Sequence, residues 1–250
     1  MKSVGRKVKT GVHRLDEILE GGIPLGHTVL VSGAPGTGKT IFSMQFLFTG
    51  ALEGEGGMYI TLTEGRDKVL NNVSSFSFYN KDAVDRGSVT IIDSMTFTDL
   101  SELETNTLSG VINRFTEIVQ RHKPKRIVID SITSLCDVLE DKKNIPLRSL
   151  IFQLQEALKS ASACTILLLS EVPPQKMIYS KYGMEEFIAD GILLLTDVPS
   201  GKNQLKRALR VIKMRGVNHS RDNFTLLITS SNGIVLEPMM GEGGFGGGYE

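Results

Sequence analysis

Short, nearly unbroken apolar runs alternate along the chain with segments whose apolar residues return every three or four positions. Thr28–Ser32 (TVLVS), Met58–Leu62 (MYITL), Val89–Asp93 (VTIID), Arg126–Asp130 (RIVID) and Thr165–Ser170 (TILLLS) are of the first kind. Runs this short and this apolar fit strands buried on both faces of a sheet. The second kind is helical. Lys39–Leu52 carries Ile41, Phe42, Met44, Phe46, Leu47 and Leu52. Val111, Ile112, Phe115, Ile118 and Val119 share one face, as do Leu147, Leu150, Ile151, Leu154 and Leu158, with Pro146 suited to a first helical turn. The alternation predicts an α/β fold, a mostly parallel twisted sheet with helices on both faces.

The last third of the chain changes pattern. Gly191–Thr196, Ala208–Met214 and Asn223–Ser230 are strand-like with no helix between them, and Ser231-Asn232-Gly233 leads as a turn into Ile234-Val235-Leu236. This predicts a C-terminal antiparallel extension of the sheet. Gly241–Glu250 has six glycines in ten residues and reads as a flexible tail. The expected organisation is an N-terminal tail over 1–9, one domain over 10–240 and the Gly-rich tail over 241–250.

Charge and composition narrow the function. The 28 Lys+Arg balance the 28 Asp+Glu, so the chain lacks the global positive field of a dedicated nucleic-acid binder, though a local basic patch stays open. Cys136 and Cys164 are too few and too far apart for a disulfide framework or a zinc module. No apolar run approaches the roughly 20 residues needed to span a bilayer. The basic start has no apolar stretch behind it and is not expected to be a signal peptide. The expected location is the cytoplasm, with no membrane partner.

One segment carries chemistry outright. Gly33-Ala34-Pro35-Gly36-Thr37-Gly38-Lys39-Thr40 fits G-x-x-x-x-G-K-[ST] between an expected strand and an expected helix. In that setting backbone N–H groups and the helix N-terminus bind phosphate oxygens. Lys39 then reaches the β- and γ-phosphates, and the Thr40 hydroxyl ligates Mg²⁺. The metal needs a second anchor. Asp130 ends an apolar strand and is the candidate; Asp93 ends another, and strand order decides between them. Glu64 follows the Met58–Leu62 strand at the carboxyl edge, where it suits a water-orienting catalytic acid and equally the first turn of a following helix. No Asn-Lys-x-Asp segment reads guanine.

Several blocks together resemble the single-domain KaiC-like ATPases of the RecA/RadA superfamily. They are Thr10-Gly11-Val12, Leu15-Asp16-Glu17-Ile18-Leu19, Gly21-Gly22-Ile23-Pro24, the phosphate loop, Asp130-Ser131-Ile132-Thr133, Tyr182–Gly191, Lys213-Met214-Arg215-Gly216 with His219, and Asn232-Gly233-Ile234. The resemblance implies a RecA-like fold assembled into a homohexameric ring. ATP and Mg²⁺ would lie between subunits, with Lys213, Arg215 and His219 supplied by the neighbour; without the motif, these cations read as solvated strand ends. Two departures stand out. Where the family has paired glutamates, this chain has Thr63-Glu64, so hydrolysis is expected to be slow, or to rest on Glu64. Glu185-Glu186 occupy the position of the phosphorylated Ser-Thr pair of the clock proteins, so autokinase chemistry is not expected. Val172–Tyr182 falls where recombinases contact DNA, and Lys176, Tyr179, Lys181 and Tyr182 are its candidates, with weak or no DNA binding expected from the neutral charge.

The reading is a Mg-dependent, slow ATPase of a KaiC-like ring, with a regulatory or remodelling output on an unidentified protein partner. A non-hydrolysing ATP sensor or a DNA-binding recombination accessory are the alternatives.

Overall fold

In the computed structural model, which describes residues 5–93, 107–140, 146–173, 178–200 and 204–239, the apolar runs form one large sheet and the periodic segments cover it. The elements in chain order are β1 (Lys7–Val8), α1 (His13–Ile18), β2 (Ile23–Pro24), β3 (Thr28–Gly33), α2 (Lys39–Leu52), β4 (Gly57–Thr61), α3 (Arg66–Val73), α4 (Lys81–Asp85) and β5 (Val89–Ile92). Then follow α5 (Leu108–His122), β6 (Arg126–Asp130), α6 (Ile132–Glu140), α7 (Leu147–Ser162), β7 (Thr165–Glu171) and α8 (Glu185–Ile188). The chain finishes with β8 (Gly191–Ser200), β9 (Gln204–Met214), β10 (Asn223–Thr229) and β11 (Gly233–Pro238).

Among the described residues nine strands pair in the order β11-β10-β9-β8-β3-β7-β6-β4-β5. From β8 to β5 neighbours are parallel, and from β8 to β11 they are antiparallel. The parallel half and its antiparallel extension are as the pattern predicts. Because successive strand residues point to opposite faces, each central strand feeds two cores. Val29 and Val31 of β3, Tyr59 of β4 and Val128 of β6 join Phe42, Phe46 and Leu47 of α2 on one face. Leu30, Met58, Ile60, Ile127 and Ile129 join α5, α6 and α7 on the other.

α2 is buried on most of its circumference, from Lys39 through Gly50. Gln45 in its middle braces two distant segments: its Nε2 donates to Gly11 O at 2.7 Å and its Oε1 accepts from Ile234 N at 2.7 Å.

Three boundaries differ from the expectation. Part of the tail expected over 1–9 is docked: β1 pairs antiparallel with β2, and Val8 is buried. β8 and β9 extend past Thr196 and Ala208 as a paired ribbon whose outer half is mostly exposed, which an apolar pattern does not mark. Pro146 stands just before α7, at its N-cap. The Gly-rich segment over 241–250 lies outside the described residues.

Candidate functional site

The carboxyl end of β3, the loop after it and the N-terminus of α2 form a cradle whose shape depends on glycine. A Cβ on Gly33 would lie 2.5 Å from Leu195 O and 2.6 Å from Thr37 Oγ1. Gly38, the N-cap of α2, has φ +104°, and a Cβ there would stand 2.9 Å from Ile228 Cδ1. Thr37 Oγ1 closes the loop by donating to Ala34 O at 2.8 Å. Arg207 of β9 donates from Nε to Gly36 O at 3.1 Å. Beside the loop, Arg207 and Ile228 help line a hollow of about 950 Å³.

Lys39 is folded back into the cradle. Its buried Nζ donates to Gly33 O at 2.8 Å and to Ala34 O at 3.0 Å. Burial pushes the ammonium below its ordinary value, opposed by the charges of Glu171 and Asp130. These bonds are weak substitutes for a phosphate, which would give the ammonium a charged acceptor.

Strand order separates the two candidate acids in space. β6 lies two strands from β3, and Thr40 Oγ1 stands 3.4 Å from Asp130 Oδ2. β5 lies at the far edge of the sheet, where Asp93 Oδ2 accepts from Arg66 N at 3.2 Å and caps α3. Burial pushes the Asp130 carboxyl above its ordinary value. The hydrogen bond from Tyr59 and the charge of Lys39 oppose that shift, while Glu171 and Glu64 add to it.

Glu64 lies near enough for its charge to act on Asp130, but its carboxylate is engaged elsewhere: Oε1 pairs with Lys68 Nζ at 2.8 Å and Oε2 accepts from Asn72 at 3.4 Å. Glu64 lies at the carboxyl edge one residue before Gly65, the N-cap of α3, so the acid in the first turn of that helix is Asp67. Thr63 is exposed.

Lys213 and Arg215 are not brought to the loop. They lie where β9 meets the amino ends of the parallel strands: Lys213 pairs with Ile192, and Arg215 N donates to Asp190 O. The loop is at the carboxyl end of β3, whose six residues put the two edges roughly 20 Å apart. Lys213 Nζ donates to Ala189 O at 2.6 Å and Glu186 O at 3.2 Å, while Arg215 pairs with Asp190 Oδ1 at 2.9 Å. His219 lies in the β9–β10 connection, its Nδ1 2.9 Å from Ser220 O.

Of the residues considered for DNA, Lys181 Nζ and the Tyr182 hydroxyl both donate to Asp137, and Tyr179 packs against the core. Lys176 lies outside the described residues.

Two residues at the loop escaped the sequence reading. Glu171 ends β7 opposite Gly33, and its signal was the one used for Asp130, an acid closing an apolar strand. Tyr59 belongs to no motif, yet its hydroxyl donates to Asp130 Oδ2.

A helix N-terminus behind a glycine cradle, a buried lysine and a Thr–Asp oxygen pair are the parts of a phosphate-loop nucleotide site. The donors fit magnesium: they are hard oxygens, and among the described residues no cluster of three or more His, Cys, Asp or Glu offers a metal cage independent of phosphate.

The sequence profile of the KaiC ATPase family matches residues 8–240, and the chain belongs to that family, within the RecA superfamily. It is 39% identical to the UPF0273 protein of Thermotoga maritima, over 96% of this chain and 99% of that one. It is 34% identical to the circadian clock oscillator protein KaiC of Parathermosynechococcus lividus, over 93% of this chain but 42% of the relative. The chain thus spans under half the length of the clock proteins it matches. The crystal structure of the KaiC-like protein PH0186 from Pyrococcus horikoshii superposes with a TM-score of 0.79 at 34% identity, covering 94% of this chain and all of that one. The fold is therefore RecA-like, and the family function is that of an ATP-binding ATPase. Among the described residues no helix is long and apolar enough to cross a membrane.

Proposed function

We propose that this chain is a magnesium-dependent cytoplasmic ATPase that works as a homohexameric ring with each active site shared between two subunits. The observation that carries the reading is the convergence of Lys39, Thr40 and Asp130 at the carboxyl edge of the sheet. Lys39 leaves Gly33 O and Ala34 O for the β- and γ-phosphates, while Thr40 and Asp130 hold magnesium. When bound, the metal supplies charge neutralisation at the phosphates. The hollow beside the loop gives room for the rest of the nucleotide.

Sharing is supported by the opposite placement of Lys213 and Arg215. A single chain holds them roughly 20 Å from its own loop, whereas a neighbour stacked edge to edge in the ring presents them, with His219, to the transferring phosphoryl group. Beside Arg215, the exposed rings of Phe152 and Phe187 offer apolar surface for that contact. Glu64 orients the attacking water, and its ties to Lys68 and Asn72 must loosen first, which fits slow turnover. The output is regulatory or remodelling, on a protein partner. The exposed Thr63 and the engaged Glu64 favour one second reading, an ATP sensor that binds without hydrolysing.

Phosphate release with ATP and Mg²⁺ separates the two readings. Asp130→Asn should abolish turnover and the magnesium dependence of binding while retaining some affinity, and Asp93→Asn should not. The reverse pattern overturns the metal assignment.

A further inference from the structure

The core position of Tyr59 calls for a ring, not a hydroxyl. Tyr59 pairs with Val128 and Ile91 on adjacent strands and is fully buried in the apolar cluster beneath α2. A phenol oxygen in such a place is costly unless it is hydrogen-bonded. This oxygen donates to Asp130 Oδ2.

Thr40 reaches the same Asp130 oxygen at 3.4 Å. The two donors differ in what fixes them. The Thr40 hydroxyl sits at the first turn of α2 and must reorient when its oxygen serves a cation. Tyr59 is anchored by packing on both neighbouring strands, so its hydroxyl stays beside Asp130 when Thr40 turns to a cation.

We propose that Tyr59 is a positioning residue for the cation site: its buried phenol holds the Asp130 carboxylate in place beside Thr40 and thereby sets how strongly magnesium and nucleotide binding reinforce each other. This rests on Asp130 being the magnesium-side acid. Partners that orient a metal-site carboxylate act without touching the metal, and their loss commonly weakens metal binding.

The test is equilibrium binding of a fluorescent, non-hydrolysable ATP analogue with Mg²⁺ and with EDTA, the ratio of the two Kd values giving the coupling. Tyr59→Phe, which keeps the ring, should leave the EDTA affinity unchanged and lower the coupling about tenfold. In an Asp130→Asn background, where coupling is already lost, Tyr59→Phe should change nothing further. A purely packing role would instead lower both affinities and the melting temperature together. If Asp130→Asn retains full coupling, the metal assignment itself is wrong and this inference falls with it. If Asp130→Asn loses coupling but folded Tyr59→Phe keeps the wild-type ratio, the positioning role alone is overturned. Should the Phe variant not fold, 3-fluorotyrosine placed at position 59 gives a ¹⁹F signal. That signal should shift when Mg²⁺ is added to the nucleotide-bound protein and stay unmoved in Asp130→Asn; a signal insensitive to magnesium with Asp130 intact overturns the proposal.

Discussion

Arg126→Met is a sharp test of how this fold is held together behind the site. Arg126 opens β6, the strand that ends in Asp130, and its side chain is fully buried. Its guanidinium meets Glu55 Oε2 at 2.7 Å and Glu53 Oε2 at 2.9 Å. It also donates to Lys9 O at 2.7 Å and Phe46 O at 2.8 Å, and lies 4.7 Å from the Phe46 ring centroid. The group thus ties the docked N-terminal segment, α2 and its C-terminal turn to the central sheet. Removing one member of a buried, hydrogen-bonded charge pair costs about 3–5 kcal/mol. Two features place this case at the low end. Glu55 keeps a second partner in Arg6 at 2.7 Å, and Glu53 is more than a third exposed, so its share is screened. Methionine also refills much of the volume.

The expectation for Arg126→Met is therefore a loss of about 3 kcal/mol, or a Tm drop of roughly 6–12 °C for a chain of this size, in nucleotide-free protein. Gly50→Ala gives an independent check of sign. Inside a helix this change normally gains up to about 1 kcal/mol. Here the new Cβ would lie 2.3 Å from Arg126 Nε and 2.4 Å from its Cδ, so it should destabilise instead. In the Arg126→Met background the alanine should cost less than in the wild type, because a thioether without hydrogen bonds can move aside where the tethered guanidinium cannot. Urea unfolding followed by circular dichroism measures all three variants. An Arg126→Met cost below about 1 kcal/mol, the scale of an exposed pair, would refute the reasoning, as would a stabilising Gly50→Ala in the wild type.

Other outcomes are equally specific. Glu64→Gln should leave ATP affinity intact and abolish phosphate release; wild-type turnover would remove Glu64 from water activation. Burial pushes the Cys164 thiol up to about 11, and Cys136 is fully buried, so neither should react with iodoacetamide in folded protein at pH 8, and both should in urea. Burial pulls the Asp190 carboxyl up, but the Thr28 amide, Lys159 and Arg215 outweigh it and hold it below its ordinary 3.8. A lowered folded value contributes stability above the unfolded value and loses it as pH falls through the folded one. The stability gap between wild type and Asp190→Asn should therefore be full at pH 7 and shrink below about pH 4; a pH-independent gap would contradict this.

What was legible in the chain follows from the kind of signal each feature leaves. The parallel strands were visible because burial on both faces makes them continuously apolar, as in Arg126–Asp130 and Thr165–Glu171. The phosphate loop was visible because its backbone geometry demands glycine at fixed spacing. Which of Asp130 and Asp93 lies beside the loop was not legible from spacing, because it depends on β6, and not β5, lying close to β3. The outer halves of β8 and β9 were missed because exposed paired strands carry no apolar alternation. Tyr59 and Arg126 were missed for a shared reason. A polar group inside an apolar run shows its purpose only once its partners, Asp130 for one and Glu53 and Glu55 for the other, arrive from distant parts of the chain.

Mixing two inactive variants decides whether a neighbour completes each active site. Lys39→Ala removes the phosphate contact of the loop and should bind ATP poorly. Arg215→Ala keeps the loop and should bind ATP but hydrolyse it slowly, because it lacks the cation offered to the next subunit. In mixed rings some interfaces pair an intact loop with an intact Lys213–Arg215 strand. Phosphate release after verified subunit exchange should then rise above that of either variant alone and peak at intermediate ratios. Activity that stays at the level of the separate variants at every ratio, or an Arg215→Ala protein fully active as a monomer, would contradict a site shared between subunits.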